Sequence, residues 1–343
     1  MKKILLIIIA SISISLIILY IFYVNYQIKS NVNKDINAGN EEIEIKSFGD
    51  FVFSFFQQNP YEEVISLKFT GDIILARSVN FLTVKNNDFT WSFKNIADEL
   101  KDADITISNL ESPLIKNCPL TNEGFKFCGD ERNSQGVKFA GIDVIGLANN
   151  HAGNYGEDGV NQTISNLEKE GILVSGTTQR QIAYKEVKGT KFAFLALNSI
   201  GYKETSLVWL DEATLKELIL EAKNNADIVI VQLHWGEEYK DTPNEFQKKY
   251  GHLAIDLGAD MVVGNHPHWV QNYEVYKDKY ILYALGNFIF DQEWSAKTKQ
   301  GVIAKVDVKN KKIGNLKFIP VEIKNYGQVF KSLDSSIIPS KME

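Results

Sequence analysis

The sequence predicts an α/β domain, layered as helix–sheet–helix or as two packed sheets, behind an apolar N-terminal segment. Three observations predict it. From Ser66 onward, short β-branched apolar runs alternate with amphipathic stretches. The last two apolar runs, Gly301 to Val308 and Ile313 to Ile323, follow each other with no helical stretch between them. Residues 1–24 are almost wholly apolar, whereas the 343-residue chain as a whole is ordinary, at 44% hydrophobic and 23% charged. That average composition excludes collagen-like, low-complexity and wholly disordered classes. A net charge of −6 excludes the basic excess of a nucleic-acid binder.

The N-terminal run Ile4 to Val24 carries no charge, and about 20 apolar residues span a bilayer as a helix. Lys2 and Lys3 precede it and no Lys or Arg follows until Lys29, which sets the N-terminus in the cytoplasm and the bulk of the chain outside. A cleaved signal peptide is the alternative. Its apolar core is usually about 7–15 residues before small residues at a cleavage site, whereas here Leu19-Tyr20-Ile21-Phe22-Tyr23 follows with no A-x-A pattern. A single-pass anchor over 1–24 is therefore expected. Residues 25–49 read as a linker and 50–343 as the extracytoplasmic domain. Alternation of Phe51, Phe53 and Phe55 suggests a strand at its start.

Strands are expected at Ser66–Thr70, Asp104–Ser108, Asp143–Leu147, Lys191–Asn198, Asp227–Leu233, Met261–Val263 and Tyr280–Leu285. Helices are expected at Trp91–Lys101, Asp158–Glu170, Asp211–Asn224 and Pro243–Leu257, the last with its proline in the first turn. The two cysteines, Cys118 and Cys128, are expected to close a short loop as a disulfide outside the cytoplasm. No C-x-x-C pattern or nearby His suggests a metal role for them.

Polar residues collect just after the strands. Gly71-Asp72, Asn109-Leu110-Glu111, Asn149-Asn150-His151, His234-Trp235-Gly236 and Gly264-Asn265-His266-Pro267-His268 all fall there. The C-terminal edge of such strands is where α/β sheets bind ligands. Of five histidines, all but His252 lie in these motifs; His252 reads as a surface residue of a helix. Singly, each feature has a plain reading: a helix cap for Asp72, left-handed turn residues for Asn149 and Asn150, a hydrogen-bonded turn for a lone His. Together they make a clustered site, and carboxylate, carboxamide and imidazole suit a divalent ion such as Mn, Zn or Fe. Such an ion lowers the pKa of water towards about 7, and a pair of ions clamps a phosphoryl centre.

These motifs, with Phe69-Thr70-Gly71-Asp72-Ile73-Ile74-Leu75-Ala76-Arg77, His234-Trp235-Gly236-Glu237-Glu238-Tyr239 and Leu285-Gly286-Asn287-Phe288-Ile289-Phe290-Asp291-Gln292, resemble the CapA family of capsule and poly-γ-glutamate synthesis proteins. The resemblance runs in order over 67–292. It implies the four-layer α/β/β/α sandwich of calcineurin-like metallo-dependent phosphatases, with the closing strands in its second sheet. It implies that Asp72 binds a first metal and that Glu111 stands for the bridging Asp. Asn150, His234 and His266 would hold the second metal, His268 the first, and His151 would protonate a leaving group. Arg77 and Asn149 fit the CapA pattern without a phosphoesterase counterpart. Arg77 is expected either to neutralise an anionic substrate group or to form a salt bridge. At least one of Glu237 and Glu238 is expected to face solvent.

One departure matters. Phosphoesterases carry a His two residues after the first Asp, and here that residue is Ile74, which cannot bind a metal. One well-formed metal site is therefore expected and the second is weak or absent. The resemblance implies capsule or poly-γ-glutamate assembly or export at the cytoplasmic membrane, with an anionic surface polymer and capsule synthetase or export membrane proteins as partners. The alternatives are a secreted metal-dependent hydrolase of a phosphoester or polymer amide, and a non-catalytic module binding an anionic polymer.

Overall fold

The computed structural model describes residues 63–342. The expected anchor, the linker and the Phe51–Phe55 strand lie outside the described residues. Among the described residues, no helix is long and apolar enough to cross a membrane. The chain begins with β1 (Ile65–Ile73), α1 (Arg77–Lys85), α2 (Ala97–Lys101), β2 (Ile105–Leu110), β3 (Leu114–Ile115), β4 (Gly129–Asp130) and α3 (Asn133–Phe139). It continues with β5 (Val144–Gly146), α4 (Gly156–Lys169), β6 (Leu173–Ser175), β7 (Ile182–Val187), β8 (Thr190–Asn198), α5 (Glu212–Asn225), β9 (Ile228–His234), α6 (Glu245–Leu257) and β10 (Met261–Asn265). The remainder is β: β11 (Tyr273–Tyr276), β12 (Lys279–Leu282), β13 (Asn287–Ile289), β14 (Gln300–Lys309), β15 (Lys312–Lys324) and β16 (Gln328–Lys331).

Two sheets form. The first runs β16-β15-β14-β1-β2-β5-β6, with β13 also pairing β1, and the second runs β11-β12-β10-β9-β8-β7. Within them β1, β2, β5 and β6 are parallel, as are β8, β9, β10 and β12. Period-2 alternation separates the layers. Ile65, Leu67 and Phe69 of β1 meet Phe192, Phe194, Ile228, Ile230, Met261 and Val263 between the sheets. The opposite faces of β8 and β9, through Leu195, Leu197, Val229 and Val231, meet Leu215, Leu218 and Ile219 of α5 and Ala254 and Ile255 of α6. On the far side, Ile145 and Val174 pack under Val160, Ile164 and Leu167 of α4. Both faces of the central strands are thus covered, which is why β9 reads as an unbroken apolar run. The layers are helix, sheet, sheet, helix.

One device sets the register of the parallel strands. Asp104, Asp143, Asp227 and Asp260 each stand immediately before a strand. Their Oδ2 atoms accept from the backbone N–H of Ser66 (2.8 Å), Thr106 (2.9 Å), Lys191 (3.0 Å) and Val229 (2.9 Å) respectively. In each case the aspartate's own N–H donates back to the carbonyl of that same residue, at 2.8–3.0 Å. Both backbone groups at the start of the neighbouring strand are therefore paired, and a one-residue slip would break both bonds.

Five expectations are corrected. The helix expected over Trp91–Lys101 is helical only from Ala97. Asp88 Oδ1 accepts from Thr90 N and Oγ1, an Asx-type turn that competes with helix. Pro243 lies before, not within, the first turn of α6, which Asn244 and Gln247 close as a capping box. The strand expected over Tyr280–Leu285 ends at Leu282, because the next carbonyl, of Tyr283, accepts from Trp235 Nε1 at 2.9 Å. The chain then leaves the second sheet to pair β13 with β1. Finally, the closing strands β14 and β15 belong to the first sheet, β14 pairing antiparallel with β1. His252, expected on the surface, is half-buried, 2.8 Å from Glu274 Oε1 and stacked on Tyr276.

The Asp104 device is testable. Burial raises the Asp104 carboxyl, but the Lys188 ammonium and the Ser66 donors outweigh it and hold it below the ordinary value of 3.8. Its contribution is present above that ordinary value and is lost as pH falls through the depressed one. Asp104→Asn should cost about 1–2 kcal/mol near neutral pH. Denaturant melts of variant and wild type should converge towards pH 2; a gap that does not shrink would refute the assignment.

Candidate metal centre

The strand ends deliver the polar residues to one cleft. Register sets Asp72 beside both Asn109 on β2 and Asn287 on β13. It likewise sets His234 at the end of β9 beside Asn265 at the end of β10. Two glycines allow the close approach. A Cβ at Gly71 would lie 2.0 Å from Gly286 O, and one at Gly264 would lie 1.9 Å from Tyr283 O. Past β10 the chain turns sharply, with His266 and His268 at φ of 95° and 57°, a conformation non-glycine residues adopt at a cost.

The side chains converge on Glu111. It is wholly buried, and neither carboxylate oxygen has a hydrogen-bond partner. His234 Nε2 lies 3.5 Å and His268 Nε2 3.9 Å from Glu111 Oε1. Asn150 Oδ1 is 2.8 Å from His234 Nε2. Asp72 Oδ1 accepts from Asn109 Nδ2 at 2.8 Å and Oδ2 from His266 N at 3.1 Å. Ligand atoms of Glu111, His234 and His266 lie within 4.8 Å of one another, as do those of Asp72, Glu111 and His268. Buried, unpartnered Nδ1 atoms on His234 and His266 complete the picture. Buried polar atoms are ordinarily paired, so this pattern fits a divalent cation, and the donor set suits Mn, Zn or Fe.

The surrounding amides fix which atoms face inward. Asn287 Nδ2 donates to Thr298 O, so its Oδ1 accepts from His268 Nδ1–H at 2.8 Å. That leaves His268 Nε2 towards Glu111. Burial depresses the His268 pKa, but Glu111 and then Asp72 outweigh it and raise the group to about 9; binding a cation there would release that proton. Burial, with help from His234 and His268, holds His266 well below 6.5 and so neutral. Burial also opposes ionisation of Asp72, yet the hydrogen bond and charge of His268 leave its pKa lowered.

His151 stands at the rim. Burial lowers its pKa, against the charge of Glu111. Asn154 Oδ1 accepts from Phe127 N at 2.7 Å, so His151 Nδ1–H donates to the same oxygen at 3.0 Å. Nε2 is left for the cleft. Its ring stacks on Phe127 at 4.1 Å, and Phe127 precedes Cys128, which is disulfide-bonded to Cys118.

A model of the family described as bacterial capsule synthesis protein PGA_cap matches residues 66–292. The chain belongs to this family. A capsule biosynthesis protein CapA of Bacillus anthracis is 31% identical over 281 residues, 76% of this chain and 68% of that one. A PGA biosynthesis protein CapA of Bacillus subtilis (strain 168) is 30% identical over 277 residues, 76% of this chain and 72% of that one. A crystal structure described as a novel phosphatase of Mycoplasma pneumoniae superposes with a TM-score of 0.54 at 16% identity, covering 76% of this chain and 94% of that chain. At that identity the likeness speaks for the fold alone, which is metallophosphoesterase-like.

Within the family framework, Asp72, Glu111, Asn150, His234, His266 and His268 come together, with His151 at the edge. Two residues expected as substrate contacts are engaged by other protein groups. Asn149 is fully buried; its Nδ2 donates to Asn109 Oδ1 and Leu110 O, and its Oδ1 accepts from His151 N and Ala152 N. With its hydrogen-bonding capacity used, it reaches Asp72 through Asn109. Arg77 takes the salt-bridge alternative: its guanidinium forks onto Asp291 and lies over the Phe127 and Phe290 rings. Sequence reasoning missed the supporting Asn109, Asn287 and Asp291 as site residues, although all three lie inside the quoted motifs. Glu237 and Glu238 are both exposed, as expected, yet the Glu238 carboxylate lies with His266 and His268 in a third group of ligand atoms.

The Glu111 assignment predicts a metal-dependent stability. Protein loaded with Mn or Zn should melt higher than chelator-treated protein, by about 2.7 kcal/mol of stabilisation at a hundredfold excess over Kd. Glu111→Gln should remove this response while leaving the metal-free form at least as stable as metal-free wild type, because the unpartnered carboxylate is gone. An undiminished metal response in the variant would exclude Glu111 as a ligand.

Proposed function

We propose that this protein serves the synthesis or export of poly-γ-glutamate or a similar acidic surface polymer, anchored by residues 1–24 with its main domain outside the cytoplasmic membrane. Family membership across 66–292, together with relatives named for capsule and PGA biosynthesis, carries the reading. The apolar run Ile4–Val24 behind Lys2 and Lys3 supports the anchor and its direction. The proposed working part is the cleft around Glu111. A divalent ion there would supply Lewis-acid polarisation and an activated water. The chain's own residues hold Asp72 through Asn109, orient His268 through Asn287 and keep His151 Nε2 at the rim. The partners that fit are the polymer and the membrane proteins that make or export it.

A hydrolytic role for the same site is favoured by one observation. His151 has its Nδ1 proton fixed by Asn154, which leaves Nε2 as the atom able to carry a proton to a leaving group.

Deleting the protein from its host should abolish surface poly-γ-glutamate. Wild type should restore it and Glu111→Gln should not; unchanged polymer in the deletion strain would overturn the proposal. Protease added to intact cells should degrade the main domain, and alkaline carbonate should leave the full chain with the membrane. For the hydrolytic reading, His151→Ala should lower turnover of polymer or of a phosphoester by about 100-fold or more with metal content unchanged. Turnover equal to wild type would remove His151 from any mechanism.

A further inference from the structure

The metal side that holds Asp72 lacks the ligand that phosphoesterases place two residues later. Ile74 cannot supply it: it is wholly buried and packs with Ala76, Phe127 and Phe290. Three ligands remain on that side, Asp72, Glu111 and His268. Glu238 comes from another strand end, in the loop after β9. Its carboxylate reaches within 4.8 Å of ligand atoms of both His266 and His268.

That placement is built. The loop turns at Gly236 (φ 87°) and again at Tyr239 (φ 61°), so Glu238 lies between two backbone reversals. Tyr239 N then donates to Pro267 O at 2.8 Å, stitching the loop to the one bearing both histidines. The Tyr239 hydroxyl accepts from Gln292 Nε2 at 3.0 Å, and its ring lies against Trp294. The neighbouring loops thereby hold Glu238 at the mouth of the cleft. Deeper in, Glu111 offers two buried oxygens and His266 a buried Nδ1, all without a partner.

We propose that the exposed carboxylate of Glu238 is a metal ligand that joins the centre from its mouth, beside His268 and His266, and makes up for the ligand missing at Ile74, so that the centre holds two divalent ions and not one. The carboxylate arrives through space from the loop after β9, where the phosphoesterase pattern would supply an imidazole from the end of β1. The charge count agrees: Asp72, Glu111 and Glu238 bring three negative charges to two divalent cations. The inference rests on the metal-centre reading above and extends it from one ion to two.

The test is metal stoichiometry, with Mn(II) as the probe and purified full-length chain as the sample. Elemental analysis should give about two Mn per chain, and electron paramagnetic resonance should show an exchange-coupled pair. Glu238→Gln should fall to about one Mn with an uncoupled six-line spectrum, and Glu238→His, which restores a ligand, should regain the pair. Glu237→Gln should match wild type in both readouts. Two coupled ions retained in Glu238→Gln, or wild type binding a single ion, would overturn the role of Glu238 while leaving the Glu111 centre standing. No bound Mn in wild type would overturn the centre itself. A Glu238→His variant that folds, judged by an unchanged circular dichroism spectrum, and still holds one ion would also reject the proposal.

Discussion

A carboxylate taken out of water without a donor costs several kcal/mol, and proteins ordinarily avoid it or neutralise it. Glu111 is such a group, wholly buried with both oxygens unpartnered. The residues around it make sense as an answer to that charge. Two imidazoles approach its Oε1, from the end of β9 and from the loop after β10. Neighbouring amides orient the other ligands: Asn109 Nδ2 donates to one oxygen of Asp72, and Asn287 Oδ1 accepts from Nδ1–H of His268. Glu111 is left open, and so are Nδ1 of His234 and of His266 beside it, a pattern that fits a cation.

Delivery of these side chains depends on events at the opposite edge. The aspartates before β2, β5, β9 and β10 each tie both backbone groups of a residue in the neighbouring strand. Strand rise is about 3.3 Å per residue, so a slip of one residue would carry Asp72 or His234 out of ligand reach and reverse its face. The two edges thus divide the labour. One fixes register with carboxylates that are satisfied; the other presents Glu111, which is not. Gly71 and Gly264 belong to the same scheme, since a side chain at either would push β13 or the Tyr283 backbone away from the cleft.

Much of this was legible in the sequence. Strand and helix alternation gave the class, and polar residues after strands gave the cleft, because both follow local periodicity. The residues that failed to read correctly are those whose partners are far away in the chain. Asn149 looks like a turn or substrate residue until Asn109, from another strand, is seen to take its amide. Nothing local marks Asp291 as the counter-ion of Arg77, 214 residues earlier. The closing hairpin was readable as a hairpin, but its sheet was not, since antiparallel pairing with β1 is set by tertiary packing. The register aspartates were also visible, at the starts of the expected strands Asp104–Ser108, Asp143–Leu147 and Asp227–Leu233. Their role needed the neighbouring strand.

The fate of Arg77 changes how an acidic polymer would be attracted. The chain is acidic overall, at −6, and a polyanion gains little from its mean field. Arg77 was the obvious local cation, but Asp291 is itself buried and already bonded to Arg77 and to Ser78 N. Pulling the guanidinium towards a substrate would strand that carboxylate, a cost comparable with what the new ion pair would gain. If the proposed function holds, the positive charge offered to a polymer carboxylate in the cleft would come from bound ions and not from Arg77. Under that reading, metal occupancy and polymer recognition would be one property of one site. The same ligands that relieve Glu111 would set the affinity for the substrate.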